Sequence, residues 1–287
     1  FHGVELSAMP VPDIRGTQGT FSFYTTQNQG GDVEHTGGEQ HHVTRNGDTI
    51  EAMLIGPENP IRQDTSILKC PFMVNIIDDK SAEIKINGSN YKLEKDVYTE
   101  WIKINFKAGL GIKVRGICKF LLQSVEPEFK LYVTPINIDP EKPVMPISHP
   151  NIFSTYICKR QGDFATLGLA EDTWALNEKI LSNDDFIQQC ICMDEEREKM
   201  FFDSLDKVKR GLCVCVFDGT DRIQHTFWRD IDDEHPARRE YEQEQNNVIE
   251  ELYQRMDTLV GRAWDECKDK DTVFMVISDH GFNSFRY

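Results

Sequence analysis

The amino-acid sequence predicts an α/β protein, a parallel sheet with flanking helices into which an antiparallel β domain is inserted. Three observations lead to this prediction. Residues 49–138 contain short β-type runs with no competing helical period. Residues 150–287 alternate apolar runs of strand length with long amphipathic segments. The length of 287 residues suits about two domains.

Three segments follow from these patterns. Residues 1–48 are expected to form an N-terminal segment of the α/β domain and a polar loop, because they are rich in Gly, Thr, Gln and His. Residues 49–140 form the inserted β domain, in which Asn87-Gly88 predicts a tight hairpin turn. Residues 141–287 form the rest of the α/β domain. Residues 135–150, with five prolines, are predicted to be a stiff connector before it.

Three helices are predicted in the C-terminal segment. The first covers residues 171–181. Ser182 with Asp185 resembles a capping box and predicts a second helix from Asp184 to about Lys209. A third helix covers roughly residues 240–267, where apolar residues recur on one face.

Two apolar runs in this segment are predicted to be parallel strands. Residues 212–217 and 272–277 have strand length, and a long helix separates them, as in a βαβ crossover. Each run leads directly into a loop that contains Asp and His. Because ligands gather at the carboxyl ends of parallel strands, both loops are expected at one site.

The residues of these loops predict a metal site. Asp221 and His225 are four positions apart, which places them on one face if a helix begins near Thr220. The second loop adds Asp279 and His280. Carboxylate and imidazole groups are ligands for zinc-like ions, and four of them can hold two divalent metals. The alternative is structural: a helix-end acid, a core histidine and a cap.

Charge and cysteine content narrow the function. The net charge is −16, from 48 acidic and 32 basic residues, which argues against a nucleic-acid polymer as partner. It leaves a small phosphate ester open, because bound cations invert the local field. The eight cysteines contain no CxxC pair, and we expect free thiols and a cytoplasmic location. No apolar run has the length of a membrane span.

The two loops resemble a known family. The pattern D-x-x-x-H at Asp221–His225, followed by S-D-H-G-F at Ser278–Phe282, is similar to the type I phosphodiesterase/nucleotide pyrophosphatase family of the alkaline phosphatase superfamily. The sequence TDRIQHTFWR at residues 220–229 is similar to that of bacterial members of the family. The resemblance implies an alkaline-phosphatase-like fold. It also implies two divalent metals, zinc or else manganese, with Asp221 and His225 on one and Asp279 and His280 on the other.

The family pattern contains further parts that this sequence does not show. A metal-binding Asp and a Thr or Ser nucleophile are expected upstream, and a His ligand downstream, so both termini are expected to be cut and the nucleophile to lie outside the chain. The implied activity is metal-dependent hydrolysis of phosphodiester or pyrophosphate bonds in a small phosphate ester or nucleotide. This fragment alone is expected to be inactive. Phosphoglycerate mutase-like, sulfatase-like and non-catalytic recognition functions stay open, and the oligomeric state is not indicated.

Overall fold

A computed structural model describes residues 3–27, 33–62, 66–236, 247–268 and 271–284. The protein is a mixed α/β protein. The chain divides into two compact units, Phe1–Gln189 and Cys190–Tyr287. The predicted domain boundaries after residues 48 and 140 stay predictions, and the compact units divide the chain elsewhere.

The first unit contains the strands. They are β1 (Glu5–Leu6), β2 (Phe21–Thr25), β3 (Val33–His35), β4 (Gly38–His42), β5 (Arg45–Asn46), β6 (Thr49–Glu58), β7 (Ile67–Ile76), β8 (Ser81–Ile86), β9 (Ser89–Glu94), β10 (Ile102–Gly109), β11 (Ile112–Cys118), β12 (Phe120–Ser124), β13 (Lys130–Val133), β14 (Asn137–Ile138) and β15 (Ser148–His149). The helices that the structure describes are α1 (Ile152–Gln161), α2 (Thr173–Asn177), α3 (Asn183–Lys207), α4 (Gly219–Ile231) and α5 (Val248–Cys267).

The sheets of the first unit are almost entirely antiparallel. Their strand orders are β5-β6-β7-β8-β9, β12-β13-β2-β4-β3, β10-β11-β14 and β1-β15. Alternate side chains of β6, β8 and β10 point into one continuous apolar core, in which Leu54, Ile84 and Phe106 are fully buried. The predicted hairpin joins β8 to β9, and Asn87 and Gly88 both have positive φ, 53° and 85°.

The apolar sequence at residues 111–122 does not form one continuous strand. They form β11 and β12, which belong to different sheets. The chain changes sheet at Lys119, whose backbone carbonyl accepts a hydrogen bond from Thr134 N at 3.1 Å. Sequence alternation cannot detect such a change, because the apolar pattern continues through it.

The proline-rich connector and the polar N-terminal loop are corrected as well. Strand β14 pairs with β11, and β15 pairs with β1, so residues 135–150 are partly built into the sheets. The prolines limit pairing to two-residue strands rather than preventing it. In residues 1–48, β2 pairs with β4 in parallel and with β13 in antiparallel orientation. This segment therefore shares a sheet with a strand of the predicted insert.

The helix predicted over residues 171–181 is shorter than expected, because α2 covers only Thr173–Asn177. Asp172 caps it by accepting a hydrogen bond from Ala175 N at 2.9 Å. Lys179, with φ of 58°, lies outside helical geometry and ends the helical segment.

The second predicted helix is confirmed as α3. Its capping box is reciprocal: Asp185 N donates to Ser182 Oγ at 3.1 Å, and Ser182 N donates to Asp185 Oδ2 at 3.0 Å. The third predicted helix is observed as α5, and residues 240–246 of that prediction lie outside the described residues.

In the second unit, α4 packs against α5. Phe227 of α4 and Leu252 of α5 are both buried, and Tyr253 Oη donates a hydrogen bond to Gln224 Oε1 at 3.0 Å. Among the described residues, no helix combines the length and the apolar content needed to cross a membrane.

The two predicted parallel strands are not confirmed. Within the described part of the second unit, residues 212–217 and 272–277 carry no strand pairing. Their apolar side chains stay exposed: Val216 is 70% exposed, Val273 84% and Ile277 87%. A strand requires hydrogen bonds to a neighbouring strand, and the sequence pattern of one run cannot specify that partner.

Candidate functional site

Helix α4 places Asp221 and His225 side by side. Gly219 is its first residue, and the backbone amides of Asp221 and Arg222 donate to Asp218 O at 3.0 and 3.1 Å. One helical turn then separates the two predicted ligands, and His225 Nε2 lies 3.3 Å from Asp221 Oδ1. Both side chains are open to solvent, 64% exposed for His225 and 30% for Asp221. The expected helix start and the common face are both observed.

The loop after residues 272–277 has a tight local hydrogen-bond pattern. Ser278 Oγ donates to the backbone carbonyl of His280 at 2.5 Å, and His280 N donates to Asp279 Oδ1 at 3.1 Å. The Nδ1 atom of His280 lies 3.1 Å from the carbonyl oxygen of Gly281. Since a carbonyl can only accept, Nδ1 is the donor there. In a neutral imidazole, Nε2 then carries the lone pair.

This loop meets α4 at Asp221. His280 Nε2 lies 3.5 Å from Asp221 Oδ1 and 3.7 Å from Asp279 Oδ2. The rings of His225 and His280 have centroids 6.5 Å apart. All four predicted ligands therefore lie within one small region of the second unit, with Asp221 Oδ1 facing both imidazoles.

The donor set suits a zinc-type ion in chemistry. Donors at about 2.0–2.2 Å from a tetrahedral zinc ion are separated from each other by roughly 3.3–3.5 Å. The distances of 3.3 and 3.5 Å from Asp221 Oδ1 to the two imidazole nitrogens lie in that range. Among the described residues, no group of three or more His, Cys, Asp or Glu side chains is arranged so that it could hold a metal ion. Asp279 is 89% exposed, so its carboxylate is the least constrained of the four.

Aromatic rings border the predicted ligands. The Phe282 ring lies 4.8 Å from the ring of His225, 5.4 Å from that of His280 and 5.7 Å from that of Trp228, measured between centroids. The Phe282 ring is therefore a neighbour of both imidazole rings. Its contact with His225 joins residues far apart in sequence, and the Asp/His pattern does not indicate it.

The arginines near the site are engaged with carboxylates. Arg222 Nη1 lies 3.1 Å from Asp221 Oδ2, and Arg229 Nε lies 3.6 Å from Asp230 Oδ1. Both guanidinium groups are therefore paired with neighbouring acids. The guanidinium of Arg222 also offsets part of the negative charge on Asp221.

A buried carboxylate next to the start of α4 was missed by sequence reasoning. Asp194 of α3 is 2% exposed, and burial raises its pKa to about 6, with Arg197 opposing the rise. Gly219 lies directly against it. A signal was present, because position 194 follows Cys190 by one helical turn on the apolar stripe of α3. The partner of that carboxylate was not visible in the sequence.

The comparison with known families identifies the C-terminal part of the chain. The model of the type I phosphodiesterase / nucleotide pyrophosphatase family matches residues 161–286. The expected resemblance to this family is confirmed for residues 161–286. Both Asp/His loops of this phosphodiesterase-family segment fall inside the match, which covers somewhat less than half of the chain. No curated protein and no solved structure matches the chain.

The family match has a direct functional meaning. It indicates hydrolysis of phosphodiester bonds and small phosphate-ester substrates. Residues 1–160, which contain the strands of the first unit, lie outside the matched range. The phosphodiesterase-family match therefore carries no information about the function of those sheets.

Proposed function

We propose that the protein is a metal-dependent hydrolase of phosphodiester or pyrophosphate bonds in nucleotides or other small phosphate esters. Asp221 and His225 are proposed as ligands of one divalent ion, and Asp279 and His280 as ligands of a second. Zinc is the preferred ion and manganese the alternative, because imidazole nitrogen with carboxylate oxygen is a typical zinc donor set.

The contact between His280 and Asp221 is the main support for metal at this site. With Nδ1 donating to the carbonyl of Gly281, a neutral His280 turns the lone pair of Nε2 toward a carboxylate oxygen 3.5 Å away. Two electron-rich atoms facing each other favour a cation or a proton between them. Divalent ions supply that positive charge, and in the proposed pair one ion would take the Asp221 oxygen as a ligand and the other the His280 nitrogen.

The bond from Nδ1 to Gly281 also has the form expected around a metal-binding histidine. In metal sites the second ring nitrogen usually donates to a carbonyl or carboxylate, which fixes the tautomer and the ring orientation. Gly281 provides that carbonyl, and the Phe282 ring holds the imidazole from the side. In this orientation the lone pair of His280 Nε2 is available to bind a metal ion.

When bound, the metal pair would polarise a phosphoryl oxygen and stabilise the oxygens that attack and leave the phosphorus. The residues of this chain would hold the ions and keep His225 and His280 in fixed orientations. The hydroxyl nucleophile is proposed to come from residues outside the chain. No side chain of the described site is assigned that role.

We also propose that residues 212–217 and 272–277 are parallel neighbours in an alkaline-phosphatase-like sheet. Both runs are β-type and apolar, and each leads into one of the two Asp/His loops. Parallel pairing would bury side chains such as Val216 and Val273, which are 70% and 84% exposed without it. Their carboxyl ends would then meet, as the site requires.

Two measurements test the proposed function. Binding of zinc and of manganese to the chain is measured by titration calorimetry, and the metal content of the resulting protein is then analysed. Hydrolysis of a chromogenic phosphodiester is measured on the protein with its native flanking residues. We expect stoichiometric metal, and activity that a chelator and Asp221→Ala abolish and that Asp279→Ala reduces.

Asp233→Asn serves as a matched control, because Asp233 is exposed and lies outside the four proposed ligands. It should keep both metal binding and activity. The proposal fails if the unmodified chain binds neither ion, or if the longer protein cleaves no phosphodiester or pyrophosphate bond.

A further inference from the structure

The carboxylate of Asp194 lies so close to the start of α4 that only glycine fits at position 219. A Cβ atom on Gly219 would lie 2.5 Å from Asp194 Oδ2 and 2.6 Å from Oδ1. Real Cβ atoms do not approach carboxylate oxygens so closely. Gly219 has no positive φ that would explain its presence, so the neighbouring carboxylate is the reason for glycine at this position.

The electrostatics of this contact favour α4. The first backbone amides of a helix carry partial positive charge, and a carboxylate beside them stabilises the helix. Asp218, the N-cap residue, makes no capping hydrogen bond with its own side chain. Asp194 therefore supplies negative charge that the N-cap residue does not direct to these amides.

Arg197 joins the same two acids. Its guanidinium forms an ion pair with Asp218, and Nη1 lies 3.8 Å from Asp194 Oδ1. Asp194 is 2% exposed, and Oδ1 has no hydrogen-bond partner in the described part of the chain. Burial of a carboxylate with an unpaired oxygen is costly, and the partial positive charge of the first α4 amides compensates for part of that cost.

We infer that Asp194 is a positioning residue: together with Arg197 it fixes the first turn of α4, and through that turn it sets the positions of Asp221 and His225. The inference rests on the proposed function of those two residues as metal ligands. Gly219 precedes Asp221 by two residues, so a displacement of the turn moves the Asp221 carboxylate with it. Metal affinity is sensitive to ligand shifts well below 1 Å.

Two substitutions perturb the contact from opposite sides. Asp194→Asn removes the charge and keeps the shape, while Gly219→Ala pushes the carboxylate away. Alanine has a higher helix propensity than glycine, so a loss of zinc affinity in Gly219→Ala arises from the contact and not from helix propensity. The control is Asp206→Asn, which removes a charge from an exposed position of α3, the helix that contains Asp194.

Zinc affinity and amide hydrogen exchange are the readouts. Asp194→Asn and Gly219→Ala should each lower zinc affinity by about 10-fold, in the range known for residues that orient ligands. Both should also speed exchange at the amides of residues 219–222, with little change in α5. The double variant Asp194→Ala/Gly219→Ala should lose no more affinity than Asp194→Ala alone, because the two changes act through one contact.

The outcomes separate this inference from the proposed function. If Asp194→Asn has the same zinc affinity and the same amide exchange as Asp206→Asn, Asp194 is not a positioning residue. The proposed metal site is unaffected by that result. Faster exchange at residues 219–222 in a chain that binds no zinc keeps the role of Asp194 in α4 but removes its link to metal ligands. A uniform rise in exchange over α4 and α5 shows general destabilisation and contradicts positioning.

Discussion

Oδ1 of Asp221 lies 3.3 Å from Nε2 of His225 and 3.5 Å from Nε2 of His280. The first contact is local to α4, and the second joins the helix to a loop beyond α5. One carboxylate oxygen is thus shared by two histidines from separate segments. This makes Asp221 the centre of the site.

Asp221 should therefore contribute most to zinc binding. Asp221→Ala is expected to weaken binding more than about 100-fold, beyond the 10–100-fold typical of residues behind the ligands. Asp279→Ala should weaken it least among the four ligands, because its side chain is 89% exposed and least constrained. Calorimetric titration of each variant gives the order. A larger loss in Asp279→Ala than in Asp221→Ala would contradict the central position of Asp221.

The buried carboxyl of Asp172 should make stability depend on pH. Burial raises its pKa to about 6, although Tyr132 Oη donates a hydrogen bond to Oδ2 at 2.6 Å. A raised carboxyl pKa favours folding below the unfolded pKa, and that contribution is lost as pH rises through about 6. Two pKa units correspond to about 3 kcal/mol.

The test compares Asp172→Asn with the unmodified protein. The asparagine does not titrate, so the stability of the unmodified protein relative to the variant should fall by about 3 kcal/mol between pH 3 and pH 7. Urea unfolding followed by circular dichroism gives both free energies at each pH. A difference that stays constant over this range would show that Asp172 does not change its protonation in the folded state.

The capping box of α3 should be measurable by itself. Ser182→Ala removes the acceptor of the Asp185 amide and is expected to lower the free energy of unfolding by about 1 kcal/mol. Ser182→Thr keeps a hydroxyl in that position and should lose much less. Urea unfolding of the three proteins provides the comparison, and equal losses in both variants would exclude the hydroxyl as the cause.

Replacing Gly88 and Gly261 with alanine should change the stability of the protein in opposite directions. Gly88→Ala places a Cβ at φ of 85° in the β8–β9 turn and should destabilise the protein by about 1 kcal/mol. Gly261→Ala lies within α5, with open space around its Cβ position, and should stabilise by up to about 1 kcal/mol. Thermal unfolding of both variants tests the contrast. Loss of stability in Gly261→Ala would indicate a close neighbour at that position.

Local patterns explain which parts of the fold were predictable. The Asn87-Gly88 turn, the Ser182/Asp185 box and the Asp221/His225 pair each depend on residues within a few positions, and all are observed. The short α2 was not predicted, because Asp172 and Lys179 set its limits through cap and backbone geometry.

Contacts between distant residues were beyond the sequence. The approach of Asp194 to Gly219 depends on how α3 and α4 pack, and no periodicity describes it. The same holds for the change of sheet at Lys119, where the apolar pattern continues across two sheets. Pairing of residues 212–217 with 272–277 stays a proposal, since a strand is defined by its neighbour.

The exposed run at residues 272–277 has a consequence for handling the protein. Val273 and Ile277 are 84% and 87% exposed in a β-type segment without charged side chains between them. Unprotected segments of this kind favour intermolecular pairing and aggregation. The residues that lead into the Asp279 loop are therefore an aggregation-prone segment of the protein. Any intermolecular pairing there would compete with the geometry that brings His280 to Asp221.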